Sequence, residues 1–312
     1  MGSQSVMKVP VLDFSGDLKP GAERWKALTQ EVREALESPG CFAAIYNTAV
    51  PESLQKEMFS AMKELFEIPQ ETKMNNRSEF KYHGYRAPVP EAPFFEVTGI
   101  DHAALPENIE RFTDLMWPQG NTKFNETVKT VTMKITELAK LIQIMVLESY
   151  GAEKYFDDLD KSSNYHFRMM KYKAPEGGHQ VEGLKGHVDK NIVTILCPDQ
   201  VGGLEVQFKD GSWAPVVLSG GSLVITIGDT FMVCLSSLAH LHGLRHRVML
   251  RGYEDRYSCG LFSIPNPNVL IEAPKELVDE EHPKLFKPFD YYDYYNFYKI
   301  NKECGLKEFA GV

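Results

Sequence analysis

The sequence predicts an α+β fold in which helices pack around a β core of the sandwich or jelly-roll type. Three observations predict it. Apolar stripes at helical spacing fill the first half, and short apolar runs separated by turn residues begin near Asn164. No linker, internal repeat or break in composition divides the two. A chain of 312 residues is long enough to bury a substantial core, and without a linker it reads as one domain.

Taken in order, Trp25, Leu28, Val32, Ala35 and Leu36 recur at helical spacing until Pro39-Gly40 stops the run. Cys41 to Tyr46 then reads as a buried strand. Pro51 opens a second helix, with Leu54, Met58, Met62, Leu65 and Phe66 on one face. Tyr82 to Val97 mixes aromatics with Pro88, Pro90 and Pro93, which suits a stiff functional loop rather than a strand or helix. A long third helix covers Phe124 to Tyr150, and Gly151 ends it. The runs 166–172, 191–196, 203–208, 212–218, 222–228, 230–235, 246–250 and 257–264 read as strands, with a hairpin turn at Lys209-Asp210-Gly211. From Pro274 the tail is acidic, then very aromatic, and reads as helical. The chain thus divides into a mainly helical 1–160, a β core over 161–270 and a helical tail over 271–312.

A net charge of −9, with no basic run, argues against nucleic acid or an anionic membrane as the main partner. Five scattered cysteines without C-x-x-C spacing read as free thiols of a reducing, cytoplasmic setting. No stretch has the pattern of a signal peptide or a membrane span, and Val6 stands where a myristoylation signal wants Ser or Thr. A small-molecule ligand is the partner class left, with no obligate protein partner evident.

The chemistry concentrates in His187-Val188-Asp189, His246 and Arg256-Tyr257-Ser258. Residues two apart on a strand share a face, so His187 and Asp189 can reach one ion. Two histidines and a carboxylate on one face of a metal leave the opposite positions open, the pattern of non-haem iron(II) oxygenases. His240, His242 and His246 compete for the third place. His246 starts an alternating run that turns at 251–255 and returns, and a hairpin of that shape brings Arg256 and Ser258 beside it. Arginine's planar fork suits a carboxylate, and a buried arginine needs an anionic partner. Taken singly, an H-x-D triplet is more often plain structure and a strand-edge arginine a surface ion pair; the combination carries the signal.

These segments resemble plant-type 2-oxoglutarate- and iron(II)-dependent dioxygenases. The resemblance rests on HVDKNIVTIL, GGLEVQFKDGSW, SLVITIGDTF, HRV and RYSCGLF, with VPVLDFS, CFAAIYN and FEIPQETK in the N-terminal part. ERFTDLMWP and ELVDEEHPKLFKPF resemble the branch holding glucosinolate side-chain oxygenases and deoxypodophyllotoxin synthase. The resemblance implies a double-stranded β-helix (jelly-roll) core flanked by N-terminal helices and a C-terminal helix. It implies His187, Asp189 and His246 as Fe(II) ligands, and Arg256, Ser258 and Tyr172 as contacts to 2-oxoglutarate. Oxygen would be the second cosubstrate and ascorbate a reductant. The family departs from this chain at two places: Met170 stands where an asparagine is usual, and the segment before His246 is longer and keeps His242 in competition.

The implied reaction is hydroxylation, desaturation or oxidative ring closure of a small, mostly apolar plant specialised metabolite. Oxidative inactivation of a hormone such as auxin is the alternative, which a further basic residue in the pocket would favour. Phe94, Phe95, Trp117 and Phe262 are the expected substrate-side aromatics, with Met116 and the tail tyrosines as further candidates. A metal-free binding barrel or a zinc hydrolase would explain parts of the pattern. Neither needs the metal ligands together with Arg256 and Ser258.

Overall fold

The computed structural model describes residues 9–80, 83–208, 210–235, 241, 243–301 and 304–312. The N-terminal half supplies β1 (Val11–Asp13), α1 (Glu23–Glu37), β2 (Cys41–Ile45), α2 (Glu52–Glu67), α3 (Gln70–Lys73), β3 (Phe95–Ile100), α4 (Pro106–Met116) and α5 (Thr122–Ser149). After α6 (Phe156–Lys161) come β4 (Ser163–Tyr172), β5 (Val181–His187), β6 (Val193–Pro198), β7 (Leu204–Gln207), β8 (Trp213–Pro215) and β9 (Leu223–Ile227). Then follow α7 (Asp229–Cys234), β10 (His246–Leu250), β11 (Arg256–Pro265), β12 (Leu270–Ile271), β13 (Phe289–Asp290), α8 (Tyr291–Ile300) and α9 (Leu306–Ala310).

Two facing sheets make the jelly roll. The major sheet has the order β1-β2-β9-β6-β11-β4-β3 and the minor one β5-β10-β7-β8. Side chains alternate across each strand, so β4 and β11 divide cleanly between two environments. Tyr165, Phe167 and Met169, with Tyr257, Cys259 and Leu261, face outward into the apolar core shared with α1, α2 and α5. The opposite face carries His166, Arg168, Met170 and Tyr172 on β4, paired with Phe262, Gly260, Ser258 and Arg256 on β11. Met170, Tyr172 and Val97 meet Val248 and Leu250 of the minor sheet, which closes the interior at that end. The helical layer is therefore a support for the sheet, and the chemistry lies between the sheets.

Three expectations from the sequence need correction. The run 230–235 is not a strand: α7 covers Asp229–Cys234 with Gly228 before it and Leu235 at its C-cap, and an apolar run of six fits either state. The proline-rich stretch ends in β3, an edge strand paired with β4 from Phe95 onward. β10 and β11 are not a hairpin: β10 pairs with β5 and β7, β11 with β4 and β6, so residues 251–255 carry the chain from one sheet to the other. The Lys209 turn position lies outside the described residues, and Gly211 beside it has φ 86°. No helix is long and apolar enough to cross a membrane among the described residues.

Candidate active site

β5 and β10 pair with His187 directly opposite His246. Their imidazole centroids lie 4.4 Å apart with the rings tilted by 54°, and Asp189 follows two residues after the end of the pairing. Nε2 of His187 lies 3.7 Å and Nε2 of His246 3.9 Å from Asp189 Oδ1. The three ligand atoms all fall within 4.8 Å of one another.

The surrounding polar groups orient this triad. His187 Nδ1 donates to the Lys185 carbonyl at 2.9 Å, and His246 Nδ1 to the Leu244 carbonyl at 3.1 Å. With the proton held on Nδ1, each Nε2 presents a lone pair to the common centre. Thr194 on β6 donates to Asp189 Oδ2 at 2.7 Å, which leaves Oδ1 facing the two imidazoles. Burial, then His246, pushes His187 down to about 3, so its imidazole is neutral at working pH. Burial opposes the Asp189 carboxylate, but His246, His187 and the Thr194 hydroxyl outweigh it and hold the group below the ordinary carboxylate range. One anionic oxygen and two neutral nitrogens converging on a point fit a divalent cation. His240 and His242, the competing ligands, lie outside the described residues.

Toward the other end of the inner face, Arg256 is 3% exposed. Its Nε donates to the Gly202 carbonyl, its Nη1 donates to Ser258 Oγ at 3.1 Å, and its plane lies over Tyr172 at 5.1 Å. Among the described residues no carboxylate forms an ion pair with it. A buried guanidinium backed by a carbonyl and an aromatic ring calls for an external anion, and a dicarboxylate reaching the metal supplies one. Tyr172 stands opposite Arg256 in the register, with its hydroxyl 3.9 Å from Met170 Sδ. Met170 thus fills, with an apolar thioether, a place where a polar contact was expected.

Beside Asp189, toward the His166 and Phe262 end of β4 and β11, lies a cavity of about 50 Å³ lined also by Lys190, Asn191, Ile264, His83, Arg168, Tyr291 and Tyr295. Phe262 is the expected aromatic found here. Phe94 and Phe95 instead pack around Tyr172, with the Phe95 ring 4.9 Å from it. Trp117 packs at a tilt on Phe124 in the helical layer, with ring centroids 4.6 Å apart, and Met116 belongs to the same apolar core. The sequence reading missed Arg168, His166 and His83. Alternation gives the signal for the first two, since they lie four and six residues before Tyr172 on the same face of β4.

The C-terminal helix closes this cavity. Tyr294 donates to Asp229 Oδ2 at 2.6 Å, and Lys190 donates to the same oxygen at 2.8 Å. The Asp229 amide in turn donates to the Asp189 carbonyl at 2.9 Å. α8 is thereby anchored to the segment that carries Asp189. A larger groove of about 730 Å³ lies on the outer side of α8 and shares Tyr295 with the inner cavity. Among the described residues its lining has no cation or histidine.

Comparison with known proteins places the chain. Residues 162–265 match the model of the 2OG-Fe(II) oxygenase superfamily. Residues 9–93 match that of the N-terminal region of non-haem dioxygenases in morphine synthesis. A probable 2-oxoglutarate-dependent dioxygenase of Arabidopsis thaliana, AOP1, is 41% identical over 91% of this chain and 94% of its own. The chain belongs to the plant 2-oxoglutarate- and iron(II)-dependent dioxygenases.

Two solved structures share the fold. The Arabidopsis dioxygenase for auxin oxidation 1, bound to 2-oxoglutarate, is 31% identical with a TM-score of 0.77, covering 88% of this chain and 99% of its own. The rice dioxygenase for auxin oxidation is 28% identical with a TM-score of 0.81, covering 97% and 100%. The dioxygenase therefore uses Fe(II) and 2-oxoglutarate, and small-molecule ligands are the rule among its neighbours.

Proposed function

We propose that the whole chain works as one oxygenase domain that oxidises a small, mostly apolar plant metabolite. In this reading residues 1–160 brace the jelly roll of 161–270, and the tail 271–312 covers it. The observation that carries it is the pair of poles between the two sheets: the His187–Asp189–His246 triad, with its histidines on the minor sheet, and the anion-seeking Arg256 on the major one. His187, Asp189 and His246 would hold the metal. Arg256 and Ser258 would grip the distal carboxylate of 2-oxoglutarate, and Tyr172 would flank it. Iron bound there supplies the oxidising power, drawn from oxygen and the decarboxylation of 2-oxoglutarate. Phe262 would lie against the substrate, while Tyr291 and Tyr295 exclude water from the cavity.

A second reading, oxidation of an acidic hormone such as auxin, is favoured by Arg168. Its guanidinium lies over the Phe262 ring at 5.6 Å and lines the cavity beside Asp189. Gly99 and Gly260 stand on either side of Arg168 in the register, and Phe262 of the neighbouring strand lies under its guanidinium. The likeness to the auxin-oxidising enzymes supports this reading further.

The experiment is succinate release by the iron-loaded protein over a panel of plant metabolites, including indole-3-acetic acid and its methyl ester. Substrate-stimulated release from neutral members and from the ester supports the first reading. Release from the acid alone, lost in Arg168→Gln, supports the second. No 2-oxoglutarate consumption with any member, or consumption that survives removal of iron, overturns both.

A further inference from the structure

The inner cavity has a second group of two imidazoles and a carboxylate, and its spacing differs from that of the metal triad. His83 Nδ1 lies 2.6 Å and His166 Nδ1 2.9 Å from the same oxygen, Asp101 Oδ1. The two rings stack at 4.1 Å. Ser78 donates to the other Asp101 oxygen. Donor atoms held at about 2.0–2.2 Å from one ion stand roughly 3 Å or more apart. The 3.7 and 3.9 Å separations around Asp189 leave room for an ion between the atoms. A separation of 2.6 Å is a direct hydrogen bond. The same residue types thus make two different sites.

We propose that His83, Asp101 and His166 form a substrate-recognition site that accepts a hydrogen bond from an N–H or O–H group of the substrate. Asp101 accepts the Nδ1 proton of His83 and lies close enough to His166 Nδ1 to favour the same tautomer. A neutral imidazole with its proton on Nδ1 has an acceptor, and no donor, at Nε2. His166 lines the cavity that contains Asp189, is 1% exposed, and neither ring nitrogen has a well-aligned hydrogen-bond partner among the described residues. A buried acceptor of this kind is complete only when a ligand supplies the donor. Burial pushes His166 down to about 3, so the ring stays neutral at working pH. The two imidazoles beside it, His166 and then His83, outweigh burial at Asp101 and hold its carboxyl well below the ordinary carboxylate range.

The backbone around His166 is cut to fit. A methyl group at Gly99 would stand 2.4 Å from Cε1 and 2.6 Å from Nε2 of His166, so only glycine at this place on β3 leaves the Nε2 edge of the ring without a side chain pressed on it. On the other side of β4, Phe262 pairs with His166, and Phe262 pairs in turn with Thr194, the residue that holds Asp189. One sheet row therefore links the acceptor to the metal ligand. A substrate anchored at His166 lies across Phe262 and toward the triad. The proposal rests on the oxygenase reading above, and it adds a chemical requirement: the substrate bears a donor.

The test uses two pairs of probes, indole with 1-methylindole and phenol with anisole. They are titrated into the 2-oxoglutarate-bound protein with Zn(II) in place of iron and ¹⁵N-labelled histidine. The expected result is a neutral His166 with its proton on Nδ1, an Nε2 resonance shifted by indole and phenol, and at least tenfold weaker binding of the methylated partners. His166→Phe, which keeps the ring volume, should erase the difference within each pair, and Asp101→Asn should lose the single tautomer. Equal binding within the pairs, or no shift with any probe, overturns the proposal. So does a second zinc equivalent that disappears in His166→Phe, which would make this a metal site. If His166→Phe fails to fold, the pair comparison in the wild-type protein decides alone. Metal and 2-oxoglutarate binding are read separately, so failure here is distinct from failure of the oxygenase reading.

Discussion

Alanine at His187, Asp189 or His246 is expected to reduce succinate release to the iron-free background while leaving the protein folded. The reason is geometric. Each side chain contributes one of three atoms around a single point, and no neighbouring carboxylate or imidazole in the described residues can replace it there. Two nitrogens, or one nitrogen and one oxygen, bind a first-row ion far less tightly than the set of three. The fold should survive because these residues lie between the sheets rather than in the apolar core that joins the major sheet to α5. Iron stoichiometry, succinate release and thermal unfolding check the three points together. Normal turnover in His246→Ala together with loss in His242→Ala would move the third ligand.

Arg256→Ala is expected to weaken 2-oxoglutarate by roughly 2–5 kcal/mol, about 30-fold or more in Kd. The guanidinium is already desolvated and already oriented by the Gly202 carbonyl, the Tyr172 ring and Ser258. A carboxylate arriving there therefore pays little to organise its partner. Lysine at 256 keeps the charge but not the fork, so its loss should lie between wild type and alanine. Ser258→Ala removes one hydroxyl and should cost about 1 kcal/mol. Anaerobic calorimetry with the metal-loaded protein reads all three, and an unchanged Kd in Arg256→Ala would remove the arginine from the site.

Legibility in the sequence followed the strength of local signals. α1, α2 and α5 were legible because their apolar stripes repeat over several turns, and most strands were because their runs are bounded by turn residues. The six residues of α7 were not, since so short a buried run has no period to read. The sheet assignment of β10 and β11 was hidden for a different reason: a five-residue turn joins hairpin strands and sheet-crossing strands equally well. In the site, His187 and Asp189 are near neighbours with a recognisable spacing. His83, Asp101 and His166 are far apart in the chain and are brought together by the pairing of β3 with β4 and by the bridge from Arg86 to Val97. Arg168 was within reach, because two-residue alternation back from Tyr172 passes through Met170, Arg168 and His166. Trp117 was named as a pocket aromatic on its residue type, and the contact it makes with Phe124 comes from α4 packing on α5.

The most direct measurement is anomalous diffraction at the iron edge from crystals grown anaerobically with Fe(II) and 2-oxoglutarate. The expected map has one iron peak between His187 Nε2, His246 Nε2 and Asp189 Oδ1, with the distal carboxylate of 2-oxoglutarate on Arg256. A peak between His83, Asp101 and His166 instead, or 2-oxoglutarate bound away from Arg256, would contradict the assignment of the active site.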